Sequence, residues 1–227
     1  MISAFFIIAA SILIAAIGGT ICKKSGVVNI ALEGLMVIGA VTAAITHIFL
    51  ESYFFSIPLA LFFASLSGGI FSLLHAFASV TIKANQLILG MGFNLLSNGL
   101  AVFICQILFR MDRTPNYKTG ISTGIFKISP VIWIALVILA LVCFFAYKKP
   151  WRDRVNITTL RYTAIIISGF LAGLAGACLV LAQDNQFTVN VINGKGYIAF
   201  AIVYFRYNYQ CSTTSVLPNP PISGLEK

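Results

Sequence analysis

Charge is so scarce in this chain that each charged residue marks a boundary. Met1 to Cys22 carries none, and Ser25 to Thr46 is interrupted only by Glu33. Ser52 to Ile82 holds only His75, read as neutral, while Ala84 to Phe109 and Tyr162 to Gln183 are uncharged and Val131 to Tyr147 is apolar at every position. A helical bilayer crossing needs about 20 predominantly apolar residues at a rise of ~1.5 Å each. These runs predict six spans and a partial seventh from Gly196 to Phe205. The expected fold class is all-α: a polytopic transmembrane helical bundle of six to seven spans, one of them broken or re-entrant.

Composition closes off the alternatives. Hydrophobic residues make up 59% of the 227 and charged residues 9%, where a soluble domain carries about 25% charged. That excludes a soluble enzyme domain, a disordered chain and a disulfide scaffold. The net charge of +9 reads as cytoplasmic-loop Lys and Arg and contact with anionic lipid rather than as a nucleic-acid footprint. The five cysteines show no CxxC spacing and no His partner cluster, so they read as small packing residues and no metal site is expected. The N-terminus lacks a basic stretch and reads as a retained helix, not a cleaved signal.

Loop charge sets the expected orientation. With the N-terminus outside, Lys23, Lys24, Lys83, Lys148, Lys149, Arg152, Arg154 and Arg161 face the cytoplasm, against Arg110, Arg113, Lys118, Lys127 and Lys195 outside. A re-entrant half-helix over Leu87 to Asn98 would flip everything after it. Arg110 to Ser129 holds Pro115, Asn116, Gly120 and Gly124 and reads as a surface loop. Ser168, Gly169, Ala172, Gly173, Gly176 and Ala177 place small residues three and four apart, a helix-packing stripe in lipid. Gly68 and Gly69 serve the same purpose or mark a bend.

Polar residues inside the apolar runs carry the functional information. Asn29 and Glu33 are four apart and would share a helix face. A charge at the bilayer centre costs about 2.5–3.5 kcal/mol on insertion scales, so Glu33 needs a partner, a hydrated cavity or a proton. It lines a solute path, makes a structural hydrogen bond to a neighbouring helix, or, nine residues past Lys24, lies near the cytoplasmic interface. A second group is Asn85, Gln86, Asn94, Ser97 and Asn98, interleaved with Gly90, Gly92 and Gly99. Each glycine lowers helix propensity by about 1 kcal/mol, and an unwound segment at membrane depth must be buried in protein or line a cavity. Amides suit a neutral, hydrogen-bonding solute; helix–helix amide contact is the alternative. His75 reads as a satisfied packing histidine rather than a proton relay. No HExxH, GxSxG or Walker-type motif occurs, so the chain is not read as an enzyme and would not hydrolyse ATP by itself.

Lys24 to Ala40, with Val28-Asn29-Ile30 followed by Leu32-Glu33-Gly34, resembles a signature of the membrane permeases of ABC importers, the superfamily for branched-chain amino acids, simple sugars and nucleosides. Its version here is similar to the nucleoside branch. So are Leu74-His75-Ala76-Phe77 through Asn85-Gln86, Gly92 and Asn94-Leu95-Leu96, and Arg161-Tyr162 through Gly176-Ala177 to Asn185-Gln186-Phe187. The resemblance covers about residues 5 to 205. It implies one of two permease subunits forming a solute path in the bacterial cell (inner) membrane, as a homo- or heterodimer. An ABC ATPase subunit would power it, with ATP bound there and no cofactor on this chain, and a solute-binding lipoprotein would deliver the solute. Asn29, Glu33, Asn85, Gln86, Asn94 and Asn98 are then the candidate path residues, and Gly169, Gly173 and Gly176 the packing residues.

Two departures from the family pattern stand out. The ATPase-coupling loop, with Trp151, Arg152 and Arg154, is shortened by about 20 residues, roughly 30 Å if helical, which would weaken the link to the ATPase. After Phe205 the family pattern is lost and residues 206–227 form a polar, Pro-rich tail in which Pro218, Pro220 and Pro221 oppose helix. The expectation is a permease domain over residues 1–205, incomplete at its C-terminal end through a frameshift, and a tail without fixed structure. The alternative readings are a permease for simple sugars or branched-chain amino acids, and an ATP-independent channel or carrier.

Overall fold

The computed structural model describes residues 2–53, 55–117, 137, 140, 157–184, 186–188 and 191–215. The regular elements among them are helical: α1 Ile2–Lys24, α2 Leu32–Phe49, α3 Ser56–Ala76, α4 Gln86–Phe109, α5 Ile157–Leu179 and α6 Lys195–Ser215. Single π-helical turns, Phe77–Thr81 and Val180–Asp184, extend α3 and α5. The helices α1 to α5 are long and apolar enough to cross a membrane, and the chain is a membrane protein. The expected span over 131–147 falls almost wholly outside the described residues.

Helix ends follow local chemistry. Lys23 and Lys24 occupy the last turn of α1, where unpaired carbonyls favour cations. Asn85 caps α4, its side-chain oxygen accepting from the Leu87 N–H at 3.0 Å, which satisfies one of the four orphan donors at a helix start. Pro58 sits in the first turn of α3, where its missing N–H is tolerated.

The core is organised around α5, which packs on α1, α2 and α3. Its small residues make this possible. A Cβ on Gly176 would collide with the Met36 carbonyl, one on Gly173 with the Ala64 carbonyl, and one on Gly169 with Ser72. On the facing helix a Cβ on Gly68 would lie 2.5 Å from the Gly169 carbonyl oxygen. Lipid supplies no hydrophobic drive between helices, so close backbone contact and dispersion hold them together. Gly68 and Gly69 serve packing rather than a bend: both lie inside the continuous helix α3.

Both ends of the bundle are tied. At one end Arg161 approaches Gly26, and the hydroxyls of Thr81 and Tyr162 are hydrogen-bonded. At the other, Thr114 and Phe187 exchange two bonds, Thr114 N–H to the Phe187 carbonyl at 3.1 Å and Phe187 N–H to Thr114 Oγ1 at 2.8 Å. The C-terminal ends of α4 and α5 thus lie on one side.

Three expectations change. The re-entrant half-helix over Leu87 to Asn98 does not form: α4 is helical from Gln86 to Phe109, straight through Gly90 and Gly92. The break lies earlier, in Ser25–Ala31, so the run read as one span from Ser25 becomes helical only at Leu32. The last helix runs on to Ser215, past the boundary drawn at residue 205; residues 216–227 lie outside the described residues.

Candidate functional site

The break before α2 is where the polar residues gather. A non-helical stretch at depth must have its backbone groups satisfied by protein, and side chains of α4 and of the break itself do so. Gln86 Oε1 accepts from the Val28 N–H at 2.9 Å. Asn29 Oδ1 accepts from the Ala31 N–H at 3.1 Å, and its Nδ2 donates to Ser168 Oγ on α5 at 3.0 Å. Asn94 does most: Oδ1 accepts from the Gly34 N–H at 2.8 Å, and Nδ2 donates to the Ile30 carbonyl and to the Tyr197 hydroxyl, each at 3.0 Å. Asn94 is the ninth residue of α4 and Ser168 the twelfth of α5. At ~1.5 Å per residue they lie about 12 and 16 Å from those helix starts, well inside the bundle.

Glu33 binds the start of α6. Its Oε1 accepts from the Gly194 N–H at 2.7 Å, and its Oε2 from the N–H groups of Gly196 at 2.7 Å and Tyr197 at 3.3 Å. A carboxylate here meets both the orphan donors and the positive end of the helix dipole. The approach is close because residue 196 has no side chain: a Cβ there would lie 2.6 Å from Glu33 Oε2. Asn193 and Gly194, at φ 30° and 85°, turn the chain back into the bundle after Phe187. Lys195, expected in an outer loop, therefore begins α6 at the level of Glu33, its ammonium donating to the Val191 carbonyl.

The sequence candidates now separate. Asn29, Glu33, Gln86 and Asn94 converge on the break; Asn29 and Glu33 are joined by contact with it and not by a shared helix face, because Asn29 precedes α2. Asn85 is exposed and caps α4. Asn98 lies half-buried one turn beyond Asn94. Among the readings open to Glu33, the contacts include the structural hydrogen bond to a neighbouring element. His75 is fully buried with its ring edge-on to Phe93, centroids 5.5 Å apart, but among the described residues neither ring nitrogen has a hydrogen-bond partner. Gly169, Gly173 and Gly176 sit in the α5 contacts described above. Trp151, Arg152 and Arg154 lie outside the described residues.

Tyr197 and the Ser168 hydroxyl were not among the path candidates. The only sequence signal for Tyr197 is local: Asn193-Gly194-Lys195-Gly196 interrupts an apolar stretch with two glycines and a charge, a turn signature. The cavity beside Asn29, lined by Gly19, Lys23, Leu32 and Tyr204 among others, has a volume of about 10 Å³, room for about one water. Small-molecule pockets are typically about 300–1,000 Å³. The cluster's chemistry is that of neutral donors and acceptors, with its carboxylate and helix N-termini already engaged by one another.

Comparison with known proteins agrees with this architecture. Residues 1–149 and 155–208 match the family described as branched-chain amino acid transport system / permease component. The interruption falls on residues 150–154. The chain is 31% identical to the guanosine ABC transporter permease protein of Bacillus subtilis, over 90% of this chain and 74% of that one. It is 28% identical to a nucleoside ABC transporter permease protein of Lactococcus lactis subsp. cremoris, over 83% and 69% of the two chains. It is 27% identical to a putative glucose ABC transporter permease protein of Haloferax volcanii, over 86% and 66%. No solved structure matches it. A helical membrane bundle, a satisfied break at depth and a match over most of its length make the chain a member of the branched-chain amino acid transport permease family, a transport subunit whose family implies an ATPase partner and a solute-binding protein.

Proposed function

We propose that this chain is one of two permease subunits of an ABC importer that carries nucleosides across the bacterial cell membrane. ATP is bound and hydrolysed on the partner ATPase, and a binding lipoprotein delivers the solute. The observation that carries this reading is the Asn94 cluster. It places amides and a tyrosine hydroxyl at membrane depth around two helix N-termini whose N–H groups are already engaged by Asn94 and Glu33. Such termini otherwise attract anions. With them occupied from within, the site favours a neutral, hydrogen-bonding solute. The cavity beside Asn29 holds about one water, which supports a passage on the open side of α4 and α6, completed by the second permease. The nucleoside-specific names of two relatives support the same choice.

Uptake of labelled guanosine and uridine by cells carrying the complete importer tests this, with ribose and leucine as competitors. Nucleosides are expected to compete and the other two are not. Competition by ribose or glucose without competition by nucleosides would favour the sugar reading, which the 27% identical relative keeps in view. Transport by the chain without any ATPase would overturn the importer reading.

A further inference from the structure

We propose that Tyr197 is the aromatic platform on which the base of a passing nucleoside stacks. This rests on the nucleoside reading above.

The ring of Tyr197 is fixed at both ends. Its backbone N–H is held by Glu33 Oε2 at 3.3 Å, in a first turn whose Gly194 and Gly196 N–H groups are held by the same carboxylate. Its hydroxyl receives the Asn94 Nδ2–H at 3.0 Å. Asn94 is itself immobilised by the Gly34 N–H and the Ile30 carbonyl and is buried. Yet Tyr197 is 45% exposed.

That combination fits neither ordinary role of a membrane tyrosine. A packing tyrosine is enclosed. An interfacial tyrosine buries its ring and turns its hydroxyl out to the headgroups. Here the hydroxyl is held by a buried asparagine about 12 Å along α4, while nearly half of the residue stays exposed. A rigid aromatic surface beside neutral amides is what a nucleoside recognises: the base stacks, and base edges and ribose hydroxyls hydrogen-bond. Asn98, one turn beyond Asn94 and half-buried, is the nearest further amide on that side of α4. Stacking accepts any base because each has a π-face, so one ring serves purine and pyrimidine nucleosides alike.

The test compares Y197L and Y197F with wild type in the complete importer, scored by initial rates of guanosine and uridine uptake and by the amount of chain inserted and assembled with its partner subunits. Stacking strengths for single bases correspond to about 5- to 150-fold in affinity. Y197L, inserted at wild-type level, is expected to raise KM for guanosine by about tenfold or more and for uridine by less, with Vmax within about twofold. Y197F, which keeps the ring, is expected to stay within about threefold of the wild-type KM. A second readout is photolabelling by 8-azidoguanosine, expected on the segment containing Tyr197 and displaced by guanosine. An unchanged guanosine KM in Y197L overturns the inference, as does equal impairment of Y197F and Y197L, or label confined to other segments. Loss of partner-subunit assembly in Y197L without a KM change assigns the ring to subunit contact and overturns it too. Failure of the wild type to take up nucleosides at all overturns the nucleoside reading itself, which separates the two failures.

Discussion

Helices α5 and α4 are similar in length and apolar character and opposite in use. Of the apolar window of α5, 83% is buried, against 28% for α4. Glycines occur in both, and their surroundings differ in kind. Those of α5 each meet a neighbouring backbone or side chain, whereas among the described residues nothing lies within 4 Å of where a Cβ on Gly92 or Gly99 of α4 would sit. One helix is the hub on which the bundle is assembled. The other offers one narrow face, Gly90, Asn94 and Ser97, to the break before α2 and leaves Ile88, Met91 and Leu95 exposed. A hub must be tightly packed, while a wall beside a passage needs only to be held at one seam.

Substitutions in the hub sharpen this contrast most. G176L drives a side chain into the Met36 backbone, which neither helix can vacate without leaving α5. Overpacking of this kind costs about 3 kcal/mol or more. Loss of monodisperse protein after detergent extraction is expected, and a variant that melts like wild type would remove α5 from the centre of the fold.

Next in size is E33A. It strips the acceptor from three N–H groups at the start of α6, of which only the Gly196 bond is buried; that one costs about 1–3 kcal/mol when left unpaired. A lowered melting temperature and faster proteolysis between residues 184 and 197 are expected. E33Q, which keeps one carbonyl oxygen, is expected to fall between E33A and wild type. N94L follows, with a loss of about 2 kcal/mol from the Gly34 N–H and Ile30 carbonyl bonds; N98L, off the break, is expected to melt within about 0.5 kcal/mol of wild type. Equal losses for the two would mean that Asn94 is not the seam. The smallest effect is reserved for the open face: G92A and G99A are expected to leave stability unchanged or raise it by up to about 1 kcal/mol, from helix propensity alone. Destabilisation on that scale by either would show that the open face of α4 is closely packed in the assembled transporter.

Gly90 explains why the broken span was misplaced. Gly90-Met91-Gly92 among amides has the composition of an unwound segment, and local propensity argues for one. In the folded chain a Cβ on Gly90 would lie 2.6 Å from that of Ile30; the glycine is there for close approach, and α4 stays helical around it. The real break, Ser25–Ala31, is uncharged and continuous in sequence with α2, and besides its own Asn29 the groups that hold it come from elsewhere, from Gln86, Asn94 and Ser168. The glycine stripe of α5, by contrast, could be read directly, since its spacing of three and four residues is a property of one helix.

The chain by itself determined which segments are apolar enough to cross a bilayer and that Asn29, Glu33, Gln86 and Asn94 are polar residues set within apolar runs, because hydropathy and isolated polar residues are local properties. Only the tertiary structure decided that Glu33 holds the start of α6, that Asn94 holds Tyr197 and that the helical break precedes α2. Each depends on hydrogen bonds between residues 58 to 164 positions apart. In a bilayer, where water cannot satisfy an unpaired backbone group, those distant partners fix where a helix stops.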